Sequence, residues 1–147
     1  MSDSSHSEAN AVSQADGHLN GDPSQSPSAG HMLAKLSNAM VGIYKGDFGR
    51  GPTRSVSYFA GPDAIVCILR DSLTKAEQRL VEIGEDERMR ETRLIFQHAS
   101  EDKFRAAVEE VTGRKVESFV SGIDVHVDLS IEFFTLEPET NGDQSSG

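Results

Sequence analysis

Six consecutive apolar residues, Ala64-Ile65-Val66-Cys67-Ile68-Leu69, stand between the turn signal Gly61-Pro62-Asp63 and Arg70. A run that is apolar at odd and even positions alike suits a strand buried on both faces, and it falls far short of the ~20 residues that a membrane helix needs. The chain around it must therefore build a sheet in which this strand is central. Upstream, Thr53 to Ala60 alternates through Val56 and Tyr58, so the two segments read as a β-hairpin.

The remaining pattern supplies what packs on that hairpin. From Met32 the residues Leu33, Leu36, Met40, Ile43 and Tyr44 repeat at helical spacing, and the pattern stops before Gly46. Thr74 followed by Glu77 is a capping box, in which hydroxyl and carboxylate each satisfy an orphan backbone N–H, and it opens a short second helix ending near Gly84. A third helix is predicted from about Glu87 to Thr112 on Met89, Phe96, Phe104, Ala107, Val108 and Val111, with Gly113 as its C-cap. Lys115 to Ser121 alternates through Val116, Ser118 and Val120, Gly122 reads as a turn, and Leu129 to Leu136 forms a last strand with Leu129, Ile131 and Phe133 on one face. The order α-β-β-α-α-β-β is an α+β domain, two β-hairpins forming an antiparallel-type sheet packed by a long helix.

Charge separates this domain from its flanks. Residues 1 to 28 hold four acids and no Lys or Arg, and residues 137 to 147 hold three acids and no base, leaving 17 acids and 14 bases from 29 to 136. Both flanks are rich in Ser, Asn, Asp, Gly and Pro with few bulky apolar groups, so 1–28 and 137–147 are expected to be disordered acidic tails around a 29–136 domain. A near-neutral core with acidic tails lacks the basic footprint of a nucleic-acid binder. The N-terminal residues carry no basic and apolar signal-like regions, and Cys67 alone can form neither an intrachain disulfide nor a CxxC metal site, so a cytoplasmic protein with a buried, inert thiol is expected.

Two segments carry candidate chemistry. In Gly49-Arg50-Gly51-Pro52-Thr53-Arg54 the glycines let backbone N–H groups approach an anion, and an arginine fork binds carboxylate or phosphate. The Lys and the following Ser or Thr of a phosphate loop are missing, and the bland reading is a structural turn. Asp124, His126 and Asp128 alternate, which on an extended segment aims all three to one side, as a weak divalent-metal set; a solvated turn and strand edge is the competing reading. No GxSxG elbow or other catalytic signature is present, and the charged run Glu85 to Glu91 is explained by helix capping and solvation. Whether the chain is an enzyme is left open, leaning against, and no cofactor is indicated.

The stretch from Leu33 to Leu136 resembles a bacterial family called MpsC-like. The resemblance rests on Gly49-Arg50-Gly51-Pro52-Thr53 after an amphipathic helix, on Val66-Cys67-Ile68-Leu69, on Leu73-Thr74-Lys75-Ala76-Glu77, on Val111-Thr112-Gly113-Arg114-Lys115-Val116, and on Ile131-Glu132-Phe133-Phe134. Their order across about 100 residues, rather than any single motif, makes the likeness specific. The family name denotes the third component of a sodium-translocating, membrane-potential-generating system. It implies a non-enzymatic accessory or regulatory protein beside a membrane cation or inorganic-carbon transport complex, the alternative being a small-molecule or anion sensor using the Arg50 loop. A third helix of roughly 38 Å would overhang strands of roughly 27 Å. Helix one or a second subunit could cover its excess turns, and a homodimer is predicted.

Overall fold

The computed structural model describes residues 27–139. In chain order the elements are α1 (Pro27–Phe48), β1 (Arg54–Phe59), β2 (Ala64–Arg70), α2 (Lys75–Glu82), α3 (Asp86–Ala99), α4 (Glu101–Thr112), β3 (Val116–Asp124) and β4 (Leu129–Leu136). The tails expected at 1–28 and 137–147 lie outside the described residues except for their innermost positions. There α1 opens at Pro27, and the Glu137 N–H donates to the Lys115 carbonyl at 2.9 Å.

The sheet runs β1-β2-β4-β3 with every neighbouring pair antiparallel, so the apolar run forms a central strand and the α+β fold of two hairpins is as expected. Residues paired across an antiparallel ladder point to the same side, so the register sorts the side chains into two faces. On one face lie the rows Ser55-Leu69-Ser130-Ile123, Ser57-Cys67-Glu132-Ser121 and Phe59-Ile65-Phe134-Phe119. Helices cover this face: Leu36, Met40 and Tyr44 of α1, one helical turn apart, meet Phe104 and Val108 of α4 over Ile65, Cys67, Leu69 and Phe134. A smaller cluster of Leu73, Met89 and Val125 closes the other end with Leu80, Val81 and Ile123. The opposite face, to which Leu129, Ile131 and Phe133 belong, carries no helix among the described residues.

Two expectations about element boundaries change. The third helix is two helices, broken at Ser100, whose N–H is shared between the carbonyls of Phe96 and Gln97 and whose hydroxyl donates to the Asp47 carboxylate of α1. Lys103 Nζ reaches the same carboxylate at 2.9 Å, so Asp47 holds the start of α4 against the end of α1. The buried positions Met89, Arg93, Gln97, Phe104 and Val108 keep their helical phase through the break, which is why periodicity does not reveal it. The second change is at Gly122, which is not a turn but lies inside β3 opposite Ile131; the turn is residues 125–128.

Candidate functional site

The chain leaves β2 through Asp71, at φ +61°, and crosses Ser72 and Leu73 to the Thr74 cap. Arg50 and Thr53 from one sequence candidate and Asp128 from the other meet at this strap. From one side Asp128, itself at φ +55°, accepts the Ser72 N–H at 2.9 Å and the Leu73 N–H at 3.2 Å, while its carbonyl takes the Asp71 N–H at 3.0 Å. From the other side Arg50 Nη1 donates to the Leu73 carbonyl at 3.2 Å, beside Gln78 Nε2 at 3.1 Å, and the Thr53 hydroxyl donates to Asp71 Oδ2 at 2.7 Å. Each contact satisfies a backbone or carboxylate group of a segment that has no ladder partner of its own.

The Arg50 loop is built by its glycines. Gly49, at φ +77°, ends α1 by donating to the Lys45 carbonyl at 2.9 Å, a conformation that a β-carbon disfavours. A β-carbon on Gly51 would stand 3.1 Å from Val41 Cγ1 and 3.2 Å from the Val41 carbonyl, so the loop lies close along α1. Arg50 stays half-exposed, whereas Arg54 falls in register with Arg70 on the open face of the sheet.

Asp124, His126 and Asp128 do not form a row. Asp124 ends β3 and its Oδ1 accepts the His126 N–H at 3.0 Å, an Asx turn that bends the chain where an extended segment is expected. His126 Nε2 lies 3.3 Å from Asp86 of α3, and the Asp128 carboxylate faces the strap. Among the described residues no group of three or more His, Cys, Asp and Glu side chains is arranged to hold a metal ion.

Behind the strap lies a buried polar cluster. Arg93 of α3 is fully buried; its Nη1 donates to Glu77 Oε1 at 2.6 Å, its Nη2 donates to the Ser72 hydroxyl at 2.8 Å, and its guanidinium stacks 3.6 Å above the Phe48 ring centre. Glu77 Oε1 also accepts the Thr74 N–H, so one carboxylate caps α2 and pairs the buried cation. One strand further in, Glu132 of β4 accepts the Tyr44 hydroxyl proton on Oε2 at 2.5 Å. Gln97 Nε2 donates to Ser121 at 2.6 Å and lies 3.4 Å from the same Glu132 oxygen. Burial pushes the Glu132 carboxyl up to about 7 against the opposing pull of Ser121, Tyr44 and the Arg93 charge. The Tyr44 hydroxyl is raised well above its ordinary range, first by burial and then by the Glu132 charge.

Residues 28–138 match the family described as the Na+-translocating membrane potential-generating system (MpsC). The chain belongs to the MpsC family. No curated protein and no solved structure matches it. The match spans all the elements above, so the resemblance carried by the Arg50 loop, the central strand and the closing strand extends over the whole fold.

In this MpsC-family domain the polar chemistry is turned inward. Glu132 and Gln97 are fully covered, and burial pushes the Cys67 thiol up to about 12, which keeps it protonated and non-nucleophilic. Sequence reasoning passed over Arg93, Gln97 and Glu132. The Glu132 signal was visible as a carboxylate between Ile131 and Phe133 in an otherwise apolar strand, where alternation already assigned it a face. Which face was buried depended on where the helices pack. No helix among the described residues is long and apolar enough to cross a membrane.

Proposed function

We propose that this MpsC-family chain is a non-enzymatic cytoplasmic accessory or regulatory protein that acts through protein contacts, as a homodimer, beside a membrane cation or inorganic-carbon transport complex. The observation that carries this reading is the division of the domain: Arg93, Gln97 and Glu132 are buried under the helices, while the other face of the sheet carries two apolar rows that no described helix covers. A surface of that kind serves association rather than chemistry. Family membership supplies the transport context. The test is cross-linking in native cells followed by purification of the chain and mass spectrometry. Recovery of integral transport subunits supports the reading; cross-links confined to soluble metabolic enzymes overturn it.

The second reading, an anion-sensing domain, has one observation in its favour. Arg50 is half-exposed on a glycine loop whose backbone lies beside Thr53, and its Nη1 holds the strap that leads to the buried cluster. An anion drawing Arg50 away would loosen Leu73. Thermal shift with bicarbonate, phosphate and nucleotides tests this, since a ligand that binds only the folded chain raises its melting point. The reading requires a shift that Arg50→Ala abolishes.

A further inference from the structure

The uncovered face of the sheet can be mapped row by row from the strand register. Its end row is Arg54-Arg70-Leu129-Asp124, its second Val56-Ile68-Ile131-Gly122, and its third Tyr58-Val66-Phe133-Val120. Two apolar rows thus span all four strands, with Tyr58 and Val120 about half-exposed at 51% and 56%. At one end the charge is asymmetric: two arginines stand on the β1-β2 side and one aspartate on the β3 side. Arg54, Arg70 and Asp124 are all exposed.

We propose that this face binds the same face of a second copy, with the two-fold axis running nearly along the strands so that β1 of each copy lies over β3 of the other. The inference rests on the homodimer reading above and names its surface. Such a rotation reverses the order of strands and keeps the order of rows. Arg54 then meets Asp124 of the partner, twice by symmetry, and Arg70 lies over Leu129. In the second row Val56 lies over Gly122, and Ile68 over Ile131. In the third, Tyr58 lies over Val120, and Val66 over Phe133. The larger side chain of the outer strand therefore falls on the smaller one of its counterpart in both apolar rows.

The alternative two-fold, across the strands, inverts the rows instead. It lays each strand over its own copy, so that Arg70 lies over Ala64 and meets no acid, while Asp124 falls at the Ser118 end of the opposite row beside Glu117, a like charge whose carboxylate accepts the Thr135 hydroxyl at 3.0 Å. Charge complementarity thus selects the first arrangement. Face-to-face sheets pack with strands about 30° apart, which a two-fold tilted by about 15° from the mean strand direction produces.

The size of the face is adequate. Four strands spaced about 4.8 Å apart and four rows at about 6.7 Å give a flat footprint of roughly 500 Å². Counted over both copies that is roughly 1,000 Å², the lower bound for a specific interface.

The test is sedimentation equilibrium of the full chain from about 1 to 200 μM in about 0.1 M salt, with circular dichroism to confirm that each variant is folded. The wild type is expected to dimerise. Val120→Asp, which sets a carboxylate against Tyr58 of the partner, should raise the dissociation constant at least ~100-fold. Arg54→Asp alone should weaken the dimer ~10-fold, and adding Asp124→Asn, which relieves the repulsion and keeps the acceptor of the His126 N–H, should restore it to within ~3-fold of wild type. A dimer indifferent to Val120→Asp, or a double variant that fails to restore association, overturns this surface while leaving the homodimer reading standing. A full chain that is monomeric throughout overturns both, and dimerisation appearing only after removal of residues 1–26 would show that the tail, not a second copy, covers the face.

Discussion

Glu132 and Arg93 both lie beside Tyr44, yet the fold treats them in opposite ways. Arg93 is paired with Glu77 at 2.6 Å and lies over the Phe48 ring, whereas Glu132 has only neutral donors at contact distance, and burial pushes its carboxyl up to about 7. Two consequences follow. Arg93→Ala strands the Glu77 carboxylate beneath the strap and opens a cavity, so it should cost about 3 kcal/mol or more in urea denaturation. For Glu132, the unfolded chain ionises near ~4.3, whereas the folded chain ionises at about 7. Between those values the folded state binds more protons, so this group's contribution to stability falls as pH rises and levels off above about 7. Glu132→Gln keeps an acceptor for Tyr44 and removes the titration. Denaturation at pH 5 and pH 8 should therefore show the variant gaining on wild type with rising pH by an amount on the order of 3 kcal/mol. An unchanged difference between the two would mean that Glu132 ionises normally.

At the scale of elements, short polar devices set the joints that hydrophobic spacing leaves open. The Thr74–Glu77 capping box is formed reciprocally, at 3.2 and 2.8 Å, and because Glu77 also holds Arg93 the cap of α2 is tied to α3. Thr74→Ala should cost about 1 kcal/mol and, unlike Arg93→Ala, leave the buried pair intact. At the Arg50 loop, Gly49→Ala should destabilise by about 1 kcal/mol because the position is left-handed. Arg50→Ala removes one of the two side-chain donors on the Leu73 carbonyl and leaves Gln78 Nε2 in place, so it should cost less, about 0.5 kcal/mol. Chemical denaturation of the two variants side by side separates a structural loop from a binding one. Arg114 does comparable work at the far end, where its Nη atoms bridge Pro62 and Asp63 of the first hairpin turn and the Glu137 carbonyl beyond β4.

For the whole molecule, a two-layer arrangement of helices on one face of an antiparallel sheet explains why an apolar strand like β2 serves two environments. Ile65, Cys67 and Leu69 face the helices, and Val66 and Ile68 face outward. If a second copy covers the outward side, folding and association share free energy. The thermal midpoint should then rise with protein concentration over the micromolar range, and the rise should be absent in Val120→Asp. Differential scanning calorimetry at two concentrations a hundredfold apart reads this directly.

The spacing of apolar residues was sufficient to place the amphipathic helix, the two hairpins and the centrality of Ala64 to Leu69, because those depend on local period alone. The capping box at Thr74 was equally legible, since its partners are three residues apart. The break at Ser100 was written more faintly, as a Ser followed by Glu101 and Asp102, in a stripe whose phase never changed. The homodimer was expected from a long overhanging helix; that basis goes with the break at Ser100, and the apolar rows of the sheet replace it. What only the tertiary structure decided was which strand face the helices would cover. That choice turned Glu132 inward and Phe133 outward, drew Arg50 and Asp128 onto one strap across 78 positions of sequence, and paired Arg93 with Glu77. Alternation along a strand distinguishes two faces but not inside from outside. Only the packing of elements distant in sequence settles that.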